Sequence, residues 1–258
     1  MAGATVIFGL HAVEAALKRE PGAIEQLWCD VKRKDKRLKA LSQLAHNQGV
    51  RPEWVTRGEL DAMLPDGARH QGVAARVQGV AERNESFLEQ LLVEMEHPPL
   101  LLVLDGVTDP HNLGACLRSA DAAGVDAVIT TRDKACGLTP VVRKVASGAA
   151  ETVPFVQVTN LARTLRTLQE AGVWVIGTAL EEGAIPHYEA KLEGPLALVL
   201  GAEGKGLRRL TRESCDTLIH IPMYGTVQSL NVSVATGVCL FEAVRQRRTG
   251  DSGAAVKR

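Results

Sequence analysis

LLLVLDGVTDPHNLGACLRSADAAG, residues 100–124, opens with an unbroken apolar run and closes on a helix that stops at glycine. Leu100 to Leu104 leave no alternate position facing water, so the run reads as a strand covered on both faces. Asp109-Pro110 marks a turn, Asn112 stands where it would cap a helix over 113–124, and Leu113 and Leu117 set that helix's apolar face. The pattern recurs to the end of the chain. AVIT (127–130), TVPFVQV (152–158), WVIGTAL (174–180), LALVLGAE (196–203) and TLIHIPM (217–223) are further apolar strands, with helical segments at 138–150, 160–172 and 207–215 between most of them. Buried strands alternating with helices predict an α/β fold with a largely parallel, doubly covered sheet. Ligands in such sheets sit beyond the carboxyl ends of the strands.

GTVQSLNVSVATGVCLFEAVRQ (225–246) predicts a last helix. Leu230, Val234, Val238, Phe241 and Val244 recur at spacings of three and four and form its expected anchoring face. Ser229 and Asn231 stand at its start, where unpaired backbone N–H groups meet a cap or a ligand.

Working back toward the N-terminus, residues 1–78 read as a small α/β unit. Helices are expected at about 11–19, 35–48 and 58–63, and strands near 25–31, 52–56 and 72–77. Its KRKDKRLK run, Lys32–Lys39, is the densest basic cluster in the chain and fits either a solvated helix start or a phosphate-contacting edge. Residues 79–98 hold five acidic side chains and one basic, carry one amphipathic core (FLEQLLVEM) and end at a Pro pair. They read as a linker to a domain spanning 99–248, with 249–258 as a disordered tail.

Composition excludes several function classes. The chain has 258 residues, is 45% hydrophobic and only 3% aromatic, which disfavours nucleic-acid binding built on aromatic stacking. Lys+Arg and Asp+Glu both total 30, so net charge indicates no anionic partner. Cys29, Cys116, Cys136, Cys215 and Cys239 are odd in number and form no C-x-x-C pair, so neither a disulfide framework nor a metal site is expected, and a reduced cytoplasmic setting follows. No signal-peptide pattern and no membrane-length apolar run occurs, so no membrane partner is expected.

Three polar clusters fall at expected strand ends. In 105–124 the G-x-G-x-x-G turn of dinucleotide sites is missing, and Asn112 and Arg118 are the polar candidates. GAEGKGL (201–207) places Glu203 among three glycines, yet Leu207 stands where a phosphate-binding loop needs Ser or Thr. IPMYGTVQSLNVSVA (221–235) carries Ser229 and Asn231 but no nucleophile elbow. Singly, each has an ordinary reading as a turn or a helix cap.

Together, N-x5-R after the first strand, G-A-E-G-x-G-L, and S-L-N-V-S-V-A before the last helix resemble the three motifs of the SpoU/TrmH family of RNA 2′-O-ribose methyltransferases. FGLHAVEAAL and HQGVAARV extend the likeness through the N-terminal unit, toward the branch that methylates a guanosine in the peptidyl-tRNA-binding loop of 23S rRNA. The resemblance implies a SPOUT domain whose C-terminal segment threads a deep trefoil knot around S-adenosyl-L-methionine. It also implies an L30e-like RNA-binding N-terminal domain and a homodimer with shared active sites. It places the cofactor at Gly201, Ile221 and Leu230, with Thr178–Leu180 nearby, and the catalytic set at Asn112, Arg118, Glu203 and Asn231, with Ser229 supporting. Competing readings are a tRNA 2′-O-methyltransferase of the same superfamily, a non-catalytic rRNA assembly factor, and a dehydrogenase, which the missing glycine fingerprint disfavours.

Overall fold

The computed structural model describes residues 5–19, 21–65, 67–77 and 83–250. The N-terminal sheet contains β1 (Thr5–Phe8), β2 (Ile24–Asp30), β3 (Pro52–Val55) and β4 (Val73–Val77) in the order β1-β4-β2-β3. β2 and β3 run parallel, and the other pairings are antiparallel. Helices α1 (Leu10–Arg19) and α2 (Lys36–Asn47) bury Val13, Leu17, Leu38 and Leu41 against one face. Helix α3 (Arg57–Met63) covers the other with Leu60 over Trp28 and Ala74. Asp35 caps α2 by accepting from the N–H groups of Arg37 and Leu38, so the Lys32–Lys39 run straddles a helix start. β1 is the element that sequence periodicity did not reveal, because four residues are too few to establish alternation.

The second sheet is parallel at every pairing, in the order β7-β6-β5-β10-β8-β11-β9. Its strands are β5 (Leu100–Asp105), β6 (Ala127–Thr131), β7 (Phe155–Val158), β8 (Trp174–Thr178), β9 (Ile185–Pro186), β10 (Leu196–Gly201) and β11 (Thr217–His220). Alternation along β5 explains why its run is wholly apolar. Leu100, Leu102 and Leu104 join the core under α5 (Pro110–Ala123), α6 (Pro140–Ala146), α7 (Ala149–Thr152) and α10 (Val232–Gly250). Leu101 and Val103 join the opposite core under α4 (Glu85–Glu94) and α8 (Leu161–Glu170). Each fully buried leucine contributes about 1.5–3 kcal/mol of transfer free energy. A short α9 (Arg209–Glu213) precedes β11. The α/β class and the largely parallel sheet expected from the sequence are what the structure shows.

Four local expectations need correction. Helix α5 starts at Pro110, capped by Asp109 accepting from the N–H of His111, because proline suits a first helical turn; Asn112 lies inside the helix and does not cap it. The expected helix over 138–150 is two helices, since Ser147 and Gly148 both adopt positive φ (54° and 99°) between α6 and α7. A side chain at Gly148 would also press its Cβ to 3.3 Å from the carbonyl oxygen of His11, where α7 meets α1. Within the 79–98 stretch, α4 docks Leu88 and its neighbours onto the second core.

The fourth correction concerns α10. Its buried face is Val232, Thr236, Cys239, Leu240 and Ala243, whereas Val234 and Phe241 of the expected anchoring stripe are each 51% exposed. Val244 and Val238 are half-buried. The helix runs through Thr249 to Gly250, so those two positions of the expected tail are helical; 251–258 lie outside the described residues.

Candidate active site

The carboxyl ends of β8, β10 and β11 open into a cavity of about 810 Å³, walled by Thr178–Glu181, Leu200–Leu207, Ile219–Ile221 and Gln228–Val232. Gly201, Ile221 and Leu230 all line it. Its shape begins with Gly201, where a Cβ would stand 2.1 Å from the carbonyl carbon of Gly206, so only glycine lets the loop fold back onto its own strand. The N–H of Gly206 donates to the oxygen of Ala202 at 2.9 Å, closing that loop.

Asp105, at the end of neighbouring β5 and 1% exposed, grips the loop at both sides. Its backbone oxygen accepts from the N–H of Ala202 at 3.1 Å, and its Oδ2 accepts from the N–H of Arg208 at 2.8 Å. The Arg208 guanidinium faces the other carboxylate oxygen at 3.4 Å. Sequence reading passed over Asp105 because a carboxylate closing an apolar strand looks like any strand end. The only available signal was that a buried acid needs partners.

At the tip of the gripped loop, Glu203 Oε1 accepts from Asn231 Nδ2 in a short contact and faces the N–H of Val232 at 3.4 Å. The carboxylate therefore sits at the N-terminus of α10, where the helix dipole favours negative charge. Asn231 Nδ2 also donates to Asn112 Oδ1 at 2.9 Å. The amide of Asn231 is oriented by its other end, because Oδ1 accepts from the N–H of Ser233 at 2.9 Å and from Ser233 Oγ at 2.6 Å. Asn231 thus caps α10 and joins the three motifs at once.

The structure brings Asn112, Glu203 and Asn231 together within one chain and leaves Arg118 apart. Six residues beyond Asn112, Arg118 lies about 240° further round the helix. It is exposed on the outer side of α5 and makes no hydrogen bond or ion pair among the described residues. Ser229 lines the cavity but likewise holds nothing among the described residues; the serine that supports Asn231 is Ser233.

Chemically, this arrangement orients and stabilises charge without supplying a covalent nucleophile. Burial pushes the thiols of Cys29, Cys215 and Cys239 up to about 12 and that of Cys116 to about 11, far from thiolate reactivity. Among the described residues no cluster of His, Cys, Asp or Glu is arranged to hold a metal ion. The donor set suits S-adenosyl-L-methionine. Leu180, 64% exposed at the cavity wall, with Ile221 and Leu230 gives apolar surface for an adenine, and strand-end backbone offers hydrogen-bonding groups.

Comparison with known proteins identifies the family. The model of the SpoU rRNA Methylase family matches residues 99–241, and the model described as RNA 2′-O ribose methyltransferase substrate binding matches residues 6–82. The 23S rRNA (guanosine-2′-O-)-methyltransferase RlmB of Shewanella oneidensis is 58% identical over 95% of this chain and 98% of its own. That of Pseudomonas putida is 57% identical over 94% and 96%. Among solved structures, the SpoU methyltransferase AviRb from Streptomyces viridochromogenes, in complex with the cofactor AdoMet, superposes with a TM-score of 0.78 at 25% identity, covering 96% of this chain and 92% of that one. With the family model matching residues 99–241 and relatives 57–58% identical across nearly the whole length, the chain belongs to the SpoU rRNA methylase family.

Proposed function

We propose that the protein transfers a methyl group from S-adenosyl-L-methionine to the ribose 2′-oxygen of a guanosine in 23S rRNA, in its peptidyl-tRNA-binding loop. The observation that carries the reading is the hydrogen-bonded convergence of Asn112, Glu203 and Asn231 beside the cavity that holds Gly201, Ile221 and Leu230. When bound, S-adenosyl-L-methionine supplies a methyl carbon on a good leaving group, so the protein's main task is positioning. Asn231 holds Glu203 and Asn112 in one arrangement, Asn112 orients the ribose, and Glu203 with Asn231 orients the arginine that meets the developing alkoxide.

That arginine is Arg118, acting as a guanidinium that binds the target phosphate through its planar fork of N–H donors and not as a base. Because Arg118 lies apart from the other three in its own chain, the reading includes a homodimer in which Arg118 of the partner subunit completes each site. The outward stripe of α10, Val234 and Phe241, supports such a contact, since two half-exposed apolar residues on one helix face favour burial against another surface.

The proposed division is an RNA-binding unit over 1–78, a linker over 79–98 whose helix α4 packs on the second core, and a catalytic unit over 99–248. In the latter, the C-terminal segment threads a trefoil knot; the insertion of β10 between β5 and β8 and the return of 221–231 toward the 201–207 loop support this. A cytoplasmic setting follows from an rRNA substrate, and no helix among the described residues is long and apolar enough to cross a membrane. The test is methyl-label transfer from S-adenosyl-L-methionine to 23S rRNA and to bulk tRNA. Label in 23S rRNA alone, abolished by Glu203→Gln, supports the proposal; label in tRNA alone, or none, refutes it.

A further inference from the structure

Outside the methyl-transfer site, the N-terminal unit contains a bowl of about 740 Å³ lined by three arginines, Arg33, Arg57 and Arg69, from three separate segments. Its volume falls within the roughly 300–1,000 Å³ of small-ligand sites. Among the described residues, both aspartates on its wall are already engaged. Asp61 Oδ1 meets Nε2 of His70 at 3.0 Å, and Asp30 Oδ1 accepts from the N–H of Lys32 at 2.9 Å. His70, 4% exposed, accepts from the N–H of Gly72 through Nδ1, which leaves its proton on Nε2 for Asp61.

The arginines are differently held. Arg33 is fixed as part of the wall by short contacts to Asp35 and to the Gln71 oxygen. Arg57 reaches Asp61 only at 3.9 Å, with its side chain 76% exposed. Arg69 is exposed and has no hydrogen bond or ion pair among the described residues. It also lines a second cavity, of about 240 Å³, together with Lys144 of α6. A cationic path therefore runs from the bowl, through Arg69, onto the catalytic unit. In a chain whose formal charges cancel, such a concentration has to come from placement.

Resting on the rRNA reading above, we propose that the bowl seats one unpaired nucleotide of the RNA substrate, with its flanking backbone carried along Arg57, Arg69 and Lys144. Guanidinium planes stack on splayed-out bases, a role otherwise left to aromatic rings, of which this chain has few. Asp61, whose Oδ1 is held by His70, presents its other carboxylate oxygen to hydrogen-bond donors on the base edge. The exposed cations of Arg57, Arg69 and Lys144 meet phosphates, whose contacts release counterions and make affinity depend on salt.

The test measures binding of a 23S rRNA fragment to the full-length protein over a salt series, for wild type, Arg57→Ala, Arg69→Ala, Lys144→Ala and the Arg57→Ala/Arg69→Ala pair. Each single variant is expected to weaken binding several-fold and to reduce the slope of log affinity against log salt by about 0.7–0.9. S-adenosyl-L-methionine binding and melting temperature should stay at wild-type values. A set of fragments with each unpaired nucleotide in turn made abasic should reveal one position that weakens wild-type binding and has no further effect on the double variant. If wild type binds and methylates the fragment while the double variant keeps the wild-type affinity and slope, the bowl proposal is overturned and the methyltransferase reading stands. If wild type neither binds nor methylates it, both fall.

Discussion

Asn231 is the residue on which the three motifs depend, because one amide donates to Asn112 and Glu203 while its oxygen caps α10. Asn231→Asp keeps the shape and the cap but replaces the donor with a second anion beside Glu203. We expect kcat to fall by roughly 10²–10³ while the protein folds normally, as measured by single-turnover methyl transfer and circular dichroism. Asp105 acts one step away. Asp105→Asn retains an acceptor for the N–H of Arg208, whereas Asp105→Ala frees the loop that carries Glu203. Calorimetric titration should show weakened S-adenosyl-L-methionine binding in the alanine variant and substantial rescue in the asparagine variant; equal losses in the two would show that the carboxylate's charge matters and its acceptor geometry does not. Gly201 and Glu203 stood out only once the three motifs were taken together, since a glycine turn with a carboxylate at a strand end is ordinary by itself. The role of Asp105 had no such signal, since a clamp between β5 and the loop after β10 spans 103 positions and has no local pattern.

At the scale of elements, strands were more legible than helices. A strand buried on both faces is apolar throughout, so β5, β6 and β10 stood out without any knowledge of their neighbours. Helix α10 was harder to read, because it has two apolar stripes and only one faces the core. Periodicity selected the stripe with Val234 and Phe241, which is half-exposed, over the stripe of Val232, Cys239 and Ala243, which is buried. The helical reading of 138–150 ran across Ser147-Gly148, a turn dipeptide whose two positive φ values divide α6 from α7. Midway along α10, hydrogen bonding and charge from Arg245 lower the Glu242 carboxyl from 4.5 to about 2. Because the folded-state value is depressed, the stabilisation is present above the unfolded-state value and lost as pH falls from 4.5 through 2. Melting temperature followed over that window should fall less steeply for Glu242→Gln than for wild type.

The whole molecule joins a parallel catalytic sheet to a small mixed sheet through the α1–α7 contact. The order of its seven parallel strands could not be read from the sequence, because β10 inserts between β5 and β8 although it follows β8 in the chain. The separation of Arg118 from Asn112, Glu203 and Asn231 makes oligomeric state part of the proposed chemistry. Replacing both Val234 and Phe241 with Asp should yield a monomer by light scattering, with methyl transfer lost although Asn112, Glu203 and Asn231 are intact. A fully active monomer would exclude a shared site. The central claim, that a ribose oxygen is the methyl acceptor, is tested most directly by nucleoside mass spectrometry on two 23S rRNA fragments, one of them 2′-deoxy at the target guanosine. The account predicts 2′-O-methylguanosine from the intact fragment and no methyl incorporation in the deoxy fragment. Methyl groups on a base, or on the deoxy fragment, would contradict it.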